Sequence, residues 1–395
     1  MPPLAEIEAL VALRRDLHAH PELGFEEHRT AGIVAARLRA LGCQVETGIA
    51  GTGVVGTLGD GPRAVGLRAD MDALAMPEAP GCAWASTEPG KMHACGHDGH
   101  TAMLLGAAAQ LAADPPPGRV HLIFQPAEEG RGGAKAMVAA GLFDRYPCDM
   151  VFGLHNMPGL APDEMAVVVG PQLASSDSWE VIFRGTGTHG AKPHLGRDPL
   201  PAAGQFLAAL QTVPGRCIDP LAPSVVSACA VEAGDRRALN VIPDQVWIGG
   251  TARAYSPAVR DLLESEIGRL AHGMAASAGL TADYRFTRRI PPVVNDPAAT
   301  AVALAAARAV CRTVRTDFPP STAGDDFAYF ADAAPGAYVW LGNGPAQDGA
   351  LHHNSGYDFN DAAIPTGVAF WEAVARHALA RHALARHASA GHILA

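Results

Sequence analysis

No run of about 18 apolar residues occurs anywhere in the chain, so no helix is expected to cross a membrane. The opening residues Met1-Pro2-Pro3-Leu4-Ala5-Glu6 lack both a basic flank and an apolar core of signal length, which makes the cytoplasm the expected location. Lys and Arg are scattered rather than striped and the net charge is −10, so no nucleic-acid partner is expected. The seven cysteines, Cys43, Cys82, Cys95, Cys148, Cys217, Cys229 and Cys311, are odd in number and show no framework spacing. A disulfide scaffold is thereby excluded, and most of them read as small core residues. What remains is the composition of a globular enzyme, 48% hydrophobic and 18% charged. Its 395 residues exceed one comfortable core, so two domains are expected.

Against that background one segment is dense in chemistry. Met92-His93-Ala94-Cys95-Gly96-His97-Asp98-Gly99-His100 sets three imidazoles, a thiol and a carboxylate in nine residues, directly before the apolar run Thr101 to Ala113. Soft and borderline donors on a loop with two glycines, opening onto a helix, suit a transition metal. The competing reading is a polar loop whose histidines only bond their neighbours.

Matching groups stand where other strands should end. Val120 to Phe124 reads as a buried strand leading to Gln125-Pro126-Ala127-Glu128-Glu129-Gly130. Of two adjacent carboxylates, one can bind a cation while the other acts as general base. Met150 to Leu154 ends in His155-Asn156, and Ala64 to Leu67 ends in Arg68-Ala69-Asp70-Met71-Asp72. In open α/β sheets ligands gather outside the carboxyl ends of the strands. Taken singly, Glu128-Glu129 also reads as a solvated turn and Asp70/Asp72 as a salt-bridged loop.

These segments, with His189-Gly190-Ala191-Lys192-Pro193-His194, Asn240-Val241-Ile242-Pro243-Asp244 and His353-Asn354-Ser355-Gly356-Tyr357-Asp358-Phe359-Asn360-Asp361, agree in order and spacing with one family. The chain resembles the M20 metallopeptidases, specifically the amidohydrolase branch of hippurate hydrolases and auxin-conjugate (indoleacetyl-amino acid) hydrolases. The resemblance runs from about the first helix to the last of these motifs.

The resemblance implies two divalent metal ions per subunit, Zn, Mn, Ni or Co, held by Cys95, His97, Glu129, His155 and His353. Glu128 is the implied general base, with Asp72 an orienting carboxylate near it. His353 rather than His352 is chosen for its four-residue spacing to Tyr357, which is the family's. Asp70 stands where other branches place a metal-binding His. Cation pairs of this kind polarise a carbonyl and acidify water. His189 is the implied oxyanion donor, on a smaller lid domain that reaches the partner subunit's site, so a homodimer or higher homo-oligomer is expected. Asn240 and Arg253 match substrate-side residues, Arg253 suiting a bidentate grip on a carboxylate. An ordinary surface salt bridge is the alternative for Arg253.

Helical periodicity covers Ala5 to His18, with Leu10, Leu13 and Leu17 inward, and Glu26 to Leu41, with Ile33, Ala36 and Leu38 inward. Strands and helices then alternate to about Gly170 in an α/β layer. From about Ser178 the order becomes a strand at Trp179 to Arg184, a helix at Pro199 to Leu210, strands at Ser224 to Ala230 and Gln245 to Ala254, a helix at Pro257 to Ser277 and a strand at Ala282 to Arg288. This suggests a ferredoxin-like α+β insert. The expected fold is thus α/β: a catalytic domain with a mixed sheet flanked by helices, residues 1–177 and 291–395, carrying a lid and dimerisation domain at 178–290. The repeat at 376–395 sets His377, His382 and His387 five residues apart, which does not stack them on one helix face. It reads as a frayed helical tail rather than a metal site.

Departures from the family pattern bear on substrate. Thr188 replaces the usual glycine before His189, Asp325 stands where a Glu is usual, and Ala75 replaces a proline in the loop that carries Cys82 and Trp84. The expected activity is metal-dependent hydrolysis of N-acyl or N-aroyl amino acids to a carboxylic acid and a free amino acid. A dipeptidase or carboxypeptidase of the same family is the alternative, but it needs a carboxylate for a free ammonium, for which only Asp325 offers itself. A catalytically silent amino-acid-binding relative is disfavoured by Glu128, which such a protein has no need to keep.

Overall fold

The computed structural model describes residues 3–79, 81–346 and 351–390, the last ten of these without their side chains. The chain divides into two compact units. One comprises Met1–Gly170, Val294–Pro319 and Asp326–Ala395, the other Pro171–Val293 and Pro320–Asp325.

The first unit is built on an eight-stranded mixed sheet in the order Gln44–Ile49, Gly53–Leu58, Arg119–Gln125, Ala64–Asp70, Met150–Met157, Gly336–Gly342, Glu164–Ala166, Thr313–Arg315. Its four central strands, Arg119–Gln125 to Gly336–Gly342, are mutually parallel. They read as near-continuous apolar runs because both faces are covered. Val65, Leu67, Val120, Leu122, Phe124, Phe152, Leu154, Val339 and Leu341 share one core with Leu104, Leu111, Ala303 and Phe370 of the helices. Each such side chain contributes about 1.5–3 kcal/mol by leaving water, and this core holds the carboxyl ends of the four strands in fixed register.

Several expectations shift on the coordinates. The second helix is His28–Ala40 and buries Thr30, Ala31, Val34, Ala35 and Leu38, while Ala36 is exposed and Ile33 only half-buried. The inward stripe is therefore one residue out of the expected phase, because small Ala31 and Ala35 rather than bulky Ile33 complete the i, i+3, i+4, i+7 set. His155 and Asn156 lie inside the Met150–Met157 strand rather than beyond it, since they pair with Trp340 and Leu341 of the neighbouring strand. The loop histidines His97 and His100 likewise belong to the helix His97–Ala113.

The second unit has a four-stranded antiparallel sheet, ordered Ser224–Ala233, Gln245–Ala254, Ser176–Arg184, Thr281–Ile290, with the helices Pro199–Leu210 and Pro257–Ser277. This is the expected strand–helix–strand–strand–helix–strand order. Trp179, Phe183, Phe206, Ile248 and Leu263 lie in its own core.

At the C-terminus, helix Ile364–Ala390 buries Ala378 and Leu379, and Arg376 pairs with Asp114 at 3.0 Å. The packed chain thus extends into the repeat. The side chains of His382 and His387, and residues 391–395, lie outside the described part. All seven cysteines are unpaired, and among the described residues no helix is long and apolar enough to cross a membrane.

Candidate metal centre

Three backbone features assemble the site. Gly96 caps helix His97–Ala113 at φ +102°, where a side chain is strained, and an added Cβ would stand 2.2 Å from Asn156 Oδ1. Only glycine lets the loop turn Cys95 and His97 inward so close to the Met150–Met157 strand. Ala127, before the paired glutamates, and His353 have φ +55° and +61°. For residues with a Cβ this left-handed geometry costs of order 1–3 kcal/mol, and it persists where surrounding structure imposes it.

The donors then converge. Ligand atoms of Cys95, His97 and His155 lie within 4.8 Å of one another, as do those of Cys95, Glu129 and His353, and those of His97, Glu128 and Glu129. Cys95 Sγ is 3.3 Å from His155 Nε2, and Glu129 Oε1 is 3.2 Å from His353 Nε2 and 4.0 Å from His97 Nε2. Two of these triads overlap at the Cys95 thiol as candidate metal-ligand groups. Among the described residues, His97 Nε2 and Glu129 Oε1 are buried yet make no hydrogen bond. Buried polar atoms are ordinarily bonded, so these atoms fit a place for cations.

Asp72 organises this set from behind. Its backbone carbonyl lies 2.8 Å and its Oδ1 3.2 Å from His97 Nδ1, and its Oδ2 accepts the Glu129 backbone N–H at 2.9 Å. It therefore orients His97 and the Glu129 backbone, as outer carboxylates do for metal-binding histidines. Asp70 also faces this set: its Oδ2 is 3.7 Å from His97 Nε2, and with His97 and His100 it forms a further candidate ligand group. Its oxygens meet His100 Nδ1 at 2.6 Å and Arg68 Nη1 at 2.8 Å, and His100 Nε2 meets Asn156 Oδ1 at 2.8 Å. His352 stands 3.2 Å from Asn156 Nδ2.

The loop's other acid, Asp98, is 2.8 Å from His18 Nδ1 and 3.6 Å from Arg14 Nη1, all three fully buried. Arg14 also holds Asp358 and Asp361, at 2.8 and 2.6 Å. This brace has no local signature, because a lone Arg and His on an amphipathic helix look like a solvated edge. Glu27 was missed for the same reason: it is fully buried and its Oε1 accepts the Ala127 N–H at 2.8 Å.

The electrostatics separate the donors. Burial pulls His97 down, but Asp70, Asp72 and Glu129 outweigh it and hold the imidazole up to about 10. Burial drives His155 well below its usual value, with His100 and His352 adding to the effect, so it is a neutral imidazole. Burial, then Glu129, Glu128 and Asp70, push the Cys95 thiol well above the ordinary range. Without cations it is protonated at neutral pH, and a bound cation makes it a thiolate. Alkylation of Cys95 at alkaline pH is therefore expected to be slow with cations bound and faster after chelation. Equal rates in the two states would remove Cys95 from the donor set.

His189, Asn240 and Arg253 all belong to the second unit. Thr188–His189 pairs with Val241–Ile242, and Asn240 O accepts the Gly190 N–H at 2.7 Å. His189 is exposed, and its Nδ1 accepts the Ala191 N–H at 3.0 Å. The proton of the neutral ring is thereby placed on Nε2, leaving an outward donor. Arg253 is half-buried, its Nη1 bonded to Thr251 Oγ1 at 2.6 Å and Ala252 O at 2.9 Å.

Residues 66–377 match the model of peptidase family M20/M25/M40. The chain is 38% identical to a hippurate hydrolase of Campylobacter jejuni over 92% of its own length and 94% of the relative's. It is 37% identical to an N-acetyl-L-cysteine deacetylase of Bacillus subtilis, over 90% and 84%. A crystal structure of a dinuclear metal-binding peptidase from the M20 family, also of Bacillus subtilis, superposes with a TM-score of 0.84 at 32% identity, covering 95% of this chain and 99% of that one.

Proposed function

This chain belongs to peptidase family M20/M25/M40, and from that premise we propose that it is a metal-dependent amidohydrolase cleaving N-acyl or N-aroyl amino acids. The observation that carries the reading is the overlap of three donor groups, Cys95 with His97 and His155, Cys95 with Glu129 and His353, and His97 with Glu128 and Glu129. Cys95, His97, Glu129, His155 and His353 would hold two divalent cations. When bound, such ions polarise the scissile carbonyl and acidify water.

The chain's own groups do the rest. Glu128 takes a proton from the attacking water and returns it to the leaving nitrogen. Asp72 keeps His97 and Glu129 in position, as its contacts require. His189 offers its Nε2–H to the developing oxyanion of a partner subunit's substrate, and the exposed Val241 and Leu239 beside it suit burial against a second copy. Arg253, its guanidinium fixed by Thr251, grips the substrate carboxylate with Asn240 nearby in sequence. The amine product is then a free amino acid.

The test is a substrate panel on enzyme loaded separately with Zn, Mn, Ni and Co: N-benzoyl and N-acetyl amino acids, the same compounds with the carboxylate amidated, and dipeptides with a free amine. Hydrolysis of the N-acyl amino acids, lost on amidation, is expected. Turnover of dipeptides alone would place the enzyme among peptidases instead.

A further inference from the structure

The general base is the residue whose aim matters most, and its loop is held by a segment with no assigned role. Glu22 to Glu27 links the first two helices and touches both carboxylate loops of the site. Leu23 bridges Ala73 in parallel fashion, and Glu22 O accepts the Ala73 N–H at 2.8 Å, directly after Asp72. The Glu22 carboxylate is itself anchored, accepting the backbone N–H groups of Arg29 and Thr30 at 2.8 Å each.

On the other loop the contacts are closer still. Glu27 Oε1 accepts the Ala127 N–H at 2.8 Å, while its Oε2 takes the Thr52 hydroxyl. Arg131 Nη1 donates to Gly24 O at 2.9 Å. Gly24 lies so near that an added Cβ would stand 2.9 Å from Ala127 Cα. Phe25, between them, is also left-handed at φ +66°. Ala127 thus adopts a conformation that it disfavours, fastened at its N–H by a buried carboxylate and pressed by a glycine.

We propose that Glu22 to Glu27 is a positioning strap, in which Glu27 holds Ala127 left-handed and so aims Glu128 at the substrate. Left to itself Ala127 relaxes to negative φ, which re-aims the next residue. The proposal rests on Glu128 being the base. Glu27 touches no reacting atom and acts through Glu128 alone.

Reach, not charge, is what this role demands. Glu27→Asp keeps the charge but withdraws the carboxylate from the Ala127 N–H. In metal-loaded enzyme it is expected to fold, to keep wild-type metal content and KM, and to lose kcat by up to about a hundredfold, the scale of a misplacement near 1 Å. Glu27→Gln keeps the reach and should recover most of that rate, its Nε2 donating to Thr52. In a Glu128→Gln background Glu27→Asp should cause no further loss of the residual rate, because the group it aims is already gone. Wild-type kcat in Glu27→Asp, or an equal fractional loss in the Glu128→Gln background, would overturn the strap. Wild-type turnover by Glu128→Gln itself would instead overturn the base assignment, and the strap with it.

Discussion

Glu128→Gln is expected to bind its cations at wild-type stoichiometry and to lose kcat by roughly a hundredfold to ten-thousandfold, the range attributed to general acid–base catalysis. Glu129→Gln, one residue along, is expected to lose cation as well as rate. The two carboxylates differ in what they face. Glu129 Oε1 points at His353 and His97, at 3.2 and 4.0 Å, and its backbone N–H is tied to Asp72. It is the acid in both a Cys95 triad and a His97 triad, whereas Glu128 joins the latter and otherwise groups only with the carboxylates Asp325 and Asp326. Metal analysis of the purified variants, beside initial rates, separates the roles. Equal cation loss in both would mean that the division of labour between them is wrong.

The second large effect concerns His189. Removing one oxyanion donor costs about a hundredfold to a thousandfold in kcat, and His189→Ala should do so with fold and cation content intact. The sharper demand comes from mixing. Subunits carrying His189→Ala keep a sound metal site, and subunits carrying Glu128→Gln keep a sound His189. If His189 serves the partner's site, a heterodimer of the two has one complete site and recovers activity that neither parent has. Should labelled subunits exchange while the mixture stays inactive, His189 works within its own chain or not at all.

Much of this architecture was legible because period and punctuation agreed. The helices at Pro199–Leu210 and Pro257–Ser277 and the strand Gln245–Ala254 begin and end at the residues expected. In each helix a proline at the first position and an Asp or Ser before it mark the start, and both caps bond as such residues do. The site motifs were legible for another reason: Cys, His and paired Glu at predicted strand ends have few structural uses together. What was not legible is the support behind them. Arg14 and Arg15 are neighbours in one helix, yet the first is fully buried on three aspartates and the second half-exposed over Trp84. Nothing local distinguishes them, since Trp84 and the three aspartates all lie far along the chain. The choice between His352 and His353 rests in the structure on backbone: the left-handed turn at His353 directs one ring to Glu129 and leaves the other to Asn156.

The Arg14 brace also sets an order of events during synthesis. Arg14 Nε donates to Asp361 Oδ1 at 2.7 Å across 347 positions of chain, and Asp98, in the first turn of helix His97–Ala113, hangs from the same guanidinium. The proposed donors themselves extend from Cys95 to His353. A nascent chain can finish almost all of its inserted unit, Pro171–Val293, while the first unit still lacks the strands Thr313–Arg315 and Gly336–Gly342 and the helices Pro297–Val310, Ala328–Ala333 and Ile364–Ala390. The complete proposed donor set, Cys95 to His353, therefore exists only once the polypeptide is finished.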